Sequence, residues 1–133
     1  LSDVKILICG LAFKGQPETG DLRNSSSVEI YRLLKEKNIN TYGYDHVIDK
    51  NVLIKNDINY HDLRDNINGF DVIMFLNNHK MNEKINVFKL IRQMNEYPIF
   101  FDGWSQFQKA EILKVRECTY MNLSLTASSN NGE

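Results

Sequence analysis

The chain has 133 residues, of which 42% are hydrophobic and 25% charged, and a formal net charge of −1. The length suits one domain that can bury a core without disulfide or metal staples, and the composition excludes disorder over most of the chain. The near-zero charge excludes a global field that would gather nucleic acid or an anionic membrane, and no apolar run approaches the roughly 20 residues of a spanning helix.

Val4-Lys5-Ile6-Leu7-Ile8-Cys9, closed by Gly10, is β-branched and apolar, the pattern of a buried parallel strand. A loop with Gly15, Pro17 and Gly20 follows, to about Asn24. Ser26 and Glu29 have the spacing of a capping box and open a helix to about Lys37. In it Val28, Tyr31 and Leu34, flanked by Ile30 and Leu33, form the inward stripe, and Asn38 is the stop. Asn40-Thr41-Tyr42-Gly43-Tyr44 reads as a second strand ending at Asp45. Residues 46–60 carry no clear period, and Leu63 with Ile67 suggests a short helix.

Phe70 to Leu76 is apolar on both faces apart from Asp71, so it reads as a central strand. Asn82 is expected to cap a helix to about Met94, with Val87, Leu90, Ile91 and Met94 facing inward. Pro98 precedes the strand Ile99-Phe100-Phe101, Asp102-Gly103 turns, residues 110–115 form a short helix, and Thr119-Tyr120-Met121-Asn122 is the last strand. Residues 126–133 are small and polar and are expected to be a disordered tail after a domain of residues 1–125. The chain begins at Leu1, with a strand almost at once, as expected of a domain cut from a longer polypeptide.

Strands alternating with helices predict an α/β fold: a doubly wound, mainly parallel five-stranded Rossmann-like sheet with helices on both faces, in a single domain. Ligands of such sheets bind beyond the carboxyl ends of the strands. The candidate segments are therefore the loop from Phe13 to Arg23, the turn Asn77-Asn78-His79, and Asp102-Gly103-Trp104.

Gly10 and Gly15 have the spacing of a phosphate loop, but Gln16 and Pro17 stand where Lys and Ser/Thr belong, which excludes ATP or GTP hydrolysis. Gly10, Gly15 and Gly20 are five apart, so the dinucleotide fingerprint is missing as well. Lys14 and Arg23 flank the loop as cations suited to a phosphate or a uracil carbonyl, or simply as solvated surface charges. Asp45 ends strand two, where a Rossmann carboxylate would grip a ribose, but without that fingerprint it reads rather as an ordinary turn aspartate. His79 reads as an exposed loop histidine or an acid–base group, with His46 and His61 weaker candidates still. Trp104 could stack on a base or cover the sheet edge. Cys9 and Cys118 stand outside any CxxC or metal spacing and read as free thiols of a reducing cytoplasm; no metal site is expected.

Gly10-Leu-Ala-Phe13-Lys14, then Asp21-Leu-Arg23-Asn-Ser25 and a helix, resembles the C-terminal, UDP-binding domain of the UDP-glucose/GDP-mannose dehydrogenase family. The strand Phe70 to Met74 and the turn after Phe101 are similar to the family's later blocks, so the likeness spans roughly residues 4–123. The resemblance implies part of an NAD-dependent nucleotide-sugar 6-dehydrogenase of polysaccharide biosynthesis. Such an enzyme oxidises a sugar C6 alcohol to a uronic acid in two hydride transfers. NAD and a catalytic cysteine then belong to an N-terminal domain of the same polypeptide, and the full-length enzyme is a homodimer. No catalytic residue is expected in this chain, nor a nucleic-acid or membrane partner.

By position, the resemblance implies that Lys14 contacts the nucleotide of the sugar donor, Phe13 packs beside it, and Asp102 and Gly103 shape that end of the pocket. Arg23 reaches toward the cofactor. Trp104 stands where many members carry arginine, which implies a different donor preference within the UDP-glucose, UDP-N-acetylhexosamine and GDP-mannose types. The competing expectations are a stand-alone Rossmann-like nucleotide-binding or regulatory module and a receiver domain. The latter lacks its carboxylate cluster, since strand one ends in Cys9-Gly10 and strand three in Leu76-Asn77.

Overall fold

The computed structural model describes residues 3–12, 22–23, 25–115 and 117–122. Among these, five strands form one all-parallel sheet: β1 (Lys5–Cys9), β2 (Asn40–Tyr44), β3 (Val72–Phe75), β4 (Ile99–Asp102) and β5 (Thr119–Asn122), in the order β2-β1-β3-β4-β5. The expected α/β architecture is what the chain adopts, with the most apolar strand, β3, at the centre. The register aligns Tyr44, Cys9, Phe75, Asp102 and Asn122 in one row at the carboxyl end. The loops that leave this row start at a common level.

Side chains alternate across the strands, and each face of the sheet has its own core. On one face Ile6 and Ile8 pack with Tyr31 of helix α1 (Ser26–Glu36) and Leu53 of α2 (Lys50–Lys55). On the other, Leu7, Ile73, Phe75 and Phe100 pack with Leu90 and Ile91 of α3 (Val87–Gln93) and Ile112 of α4 (Lys109–Leu113). Burying each such large apolar side chain contributes about 1.5–3 kcal/mol relative to exposure, so the two cores hold the sheet rigid from both sides. Cys9 and Cys118 are both free and buried.

Several local expectations change. The α1 cap is Ser25, one residue earlier than expected: its hydroxyl oxygen accepts from the Val28 amide at 3.3 Å, and Ser26 is the first helical residue. Leu33 is not part of the inward stripe but 55% exposed. Lys37 closes the helix and Asn38 follows at φ 60°, a left-handed value that asparagine tolerates well. In the unassigned stretch α2 forms behind Asp49, whose carboxylate accepts from the Asn51 amide.

The short helix expected at Leu63 and Ile67 does not form: both side chains are buried, but turns and irregular backbone carry them. The helix expected from Asn82 is two elements, a 3₁₀ helix (Lys80–Lys84) and α3, separated by extended Ile85 and capped by His79 and Asn86 respectively. The tail from residue 126 lies outside the described residues.

Candidate functional site

The loops beyond the carboxyl row are tied together by buried polar side chains. Asp45, 5% exposed, follows β2 and reaches across to the loop after β1. One of its oxygens accepts from the Leu11 and Ala12 amides, both at 2.8 Å, and the other from Val47 and Ile48 at 2.8 and 3.1 Å. Ser25 adds a second tie, its hydroxyl donating to the Leu11 carbonyl at 2.8 Å. Gly10 has φ 99°, and a Cβ there would meet the Asn77 side chain at 2.5 Å. Only glycine lets the β1 and β3 loops pass so closely.

The amides of Leu11 and Ala12 leave β1 where a dinucleotide-binding turn would present its donors to a pyrophosphate. Here the Asp45 carboxylate occupies them. The described part of the β1 turn therefore does not fit NAD, in keeping with the missing glycine fingerprint.

A second cluster joins the segments that follow β2, β3 and β4. Asn82 donates through its amide nitrogen to the Asn77 carbonyl and to Gln106 Oε1, at 3.3 and 3.1 Å. Its Oδ1 must then accept, and His46 Nε2 lies 2.8 Å away, so the Nε2–H tautomer is the one that satisfies both partners. His46 Nδ1 faces the Tyr44 hydroxyl at 3.3 Å. Burial holds the His46 pKa below its ordinary value of 6.5, partly offset by the Asn82 hydrogen bond. Gln106 also donates to the Asn77 carbonyl at 2.9 Å. His79 corrects the expectation of an exposed loop histidine: it is 5% exposed, packs 5.1 Å from the His46 ring, and its Nδ1 accepts from the Met81 amide.

Asp102 organises the β4 end. Its carboxylate is fully buried and accepts from the amides of Trp104, Gln106 and Phe107 and from the Tyr120 hydroxyl, the last two at 2.8 Å. Asn122 donates to the same hydroxyl. Burial, with the neighbouring Asp102 carboxylate, pushes Tyr120 up to about 12. Gly103 donates to the Phe75 carbonyl at 2.9 Å, and a Cβ there would sit 2.9 Å from that oxygen. The Asp102-Gly103 turn thus fixes the loop that carries Trp104.

Among the described residues no buried side-chain nitrogen or oxygen lacks a partner. The network is a finished scaffold, and contact with a ligand falls to what it leaves outward. Trp104 is half-exposed, its ring held by an Nε1–H bond to the Leu76 carbonyl at 3.1 Å. Arg23 is exposed just before α1. Phe13 and Lys14 lie outside the described residues. Among those described, no group of three or more His, Cys, Asp or Glu side chains could hold a metal ion, and no helix is long and apolar enough to cross a membrane. Asn82 and Gln106 were not legible as site residues, since buried loop amides have no distinguishing spacing; Asn77 lay in a turn the sequence marked as ligand-prone, and Asp45 was read as an ordinary turn aspartate.

A parallel sheet with fixed loops above its carboxyl row defines a doubly wound α/β domain of the ligand-binding kind. Residues 7–109 match the UDP-glucose/GDP-mannose dehydrogenase family, UDP binding domain, and the chain belongs to that family. No curated protein matches the chain.

Proposed function

We propose that this chain holds the nucleotide of a UDP-sugar or related donor for an NAD-dependent nucleotide-sugar 6-dehydrogenase. The observation that carries this reading is the family match over residues 7–109, which contains the Phe13-Lys14 and Arg23-Asn-Ser25 blocks. Lys14 supplies a cation for the diphosphate or a uracil carbonyl, with Phe13 packed beside it. Trp104 offers a ring face to the base, where stacking takes over from an ionic contact. Asp102 and Gly103 set the turn that presents it.

Remote binding energy of this kind orients the sugar toward chemistry performed elsewhere. Hydride acceptance by NAD and the attack of a cysteine thiolate belong, in this reading, to a separate dinucleotide-binding domain, toward which Arg23 is directed. Burial keeps the Cys9 thiol protonated, its pKa raised well above the ordinary value, so it is not a nucleophile. The assembly is a cytoplasmic homodimer in the same reading.

Calorimetric titration of the chain with UDP tests the proposal. Saturable binding is expected, weakened about tenfold by Lys14→Ala, the loss of one charge-assisted hydrogen bond, and several-fold by Trp104→Ala. UDP binding that neither substitution changes would remove the assignment.

A further inference from the structure

A cleft of about 330 Å³ opens beside α3, and neither Trp104 nor Arg23 lines it. Its lining combines two chemistries. Tyr44, Leu63, Met81, Ile85 and Leu90 give it an apolar floor. Lys84 and Lys89 stand at its wall, both exposed, and no ion pair among the described residues engages either. Arg64 also lines it, but Asp62 holds that guanidinium through two hydrogen bonds of 2.9 and 2.6 Å. Asp65 is the acidic group of the wall, so the two lysines leave a local excess of positive charge.

Surface lysines alone bind nothing in particular. Here they border a concave floor large enough to bury a ring or a short branched chain. Such a floor gains little from inorganic phosphate and little from a neutral hydrocarbon in dilute solution; it gains most from a molecule that is apolar at one end and anionic at the other. We infer that the cleft is a second ligand site, for a small amphipathic anion whose apolar body lies over Tyr44, Leu63 and Leu90 while its carboxylate or phosphate meets Lys84 and Lys89. The site is independent of the nucleotide reading and would stand if that reading failed. Its occupant would also touch His46, whose far ring nitrogen holds Asn82, and so would rest against the scaffold of the carboxyl row.

Two probes test the inference on the 133-residue chain by amide-resolved NMR titration: phenyl phosphate and 4-phenylbutyrate, with inorganic phosphate as control. Saturable shifts are expected at Arg64, Lys84, Ile85, Lys89 and Leu90 with at least one organic probe, and the tighter of the two names the headgroup. Inorganic phosphate should bind at least tenfold more weakly, and the double substitution Lys84→Glu, Lys89→Glu should cost at least tenfold. Both lysines are exposed, so the doubly substituted chain should keep its amide pattern elsewhere. The inference is overturned if neither organic probe shifts these amides, if the shifts gather at Gly103 and Trp104 instead, if inorganic phosphate matches the organic probes, or if the charge reversal leaves affinity unchanged.

Discussion

Asp45 joins two strand ends that are far apart in sequence. Its two oxygens accept four backbone N–H groups, two from the β1 turn and two from its own loop, and the side chain is buried. Asp45→Asn keeps the shape but turns one acceptor oxygen into a donor facing N–H groups. A loss of about 3 kcal/mol is expected, because buried donors are then left unsatisfied, and urea unfolding would read it directly. The sequence identified Asp45 as a turn residue and went no further. A carboxylate's place after a strand is local information, whereas its partners at Leu11 and Ala12 depend on which strand lies alongside. The same limit explains His79: its position in the β3 loop was legible, but its burial depends on packing against His46.

At the scale of elements, β2 and β5 were read to the residue and β1 and β4 to within one, whereas β3, expected over residues 70–76, is the shorter Val72–Phe75. Helix starts were read less well. Ser25, Ser26 and Ser27 are equivalent by composition, and the choice of Ser25 follows from a tertiary bond, its hydroxyl donating to the buried Leu11 carbonyl. Ser25→Ala removes both the cap and that donor, and is expected to destabilise by about 2 kcal/mol, the upper end for a lost cap; Ser26→Ala, on the exposed first turn, should change little. Thermal melts of the two variants side by side make the comparison. Asn82 misled for a related reason. Its amide bonds Asn77, Gln106 and His46 rather than a local helix start, and the helix begins afresh at Asn86.

For the whole molecule, the partly buried His46 makes stability depend on pH. Its folded pKa lies below the ordinary 6.5, chiefly because burial disfavours the charged ring. The folded state therefore resists protonation more than the unfolded one. Stability should be level above about pH 6.5 and fall as pH drops toward the lowered folded pKa. Urea midpoints at pH 7.5 and 5.5 should show the fall, and His46→Gln should flatten it. If the variant falls as steeply as the parent, another group sets the slope. Asp62 is not that group: the Arg64 hydrogen bond holds it down at about 2, so it stays charged across this range.

The chain has one tryptophan, Trp104. Its indole is half-exposed and fixed by one hydrogen bond at the carboxyl row, while the aromatic rings of the core are phenylalanines and tyrosines. Excited at the red edge of its absorption, the molecule emits from that single spot. An unlabelled sample therefore carries its own optical gauge of events at the rim, separable from phenol signals that report the interior.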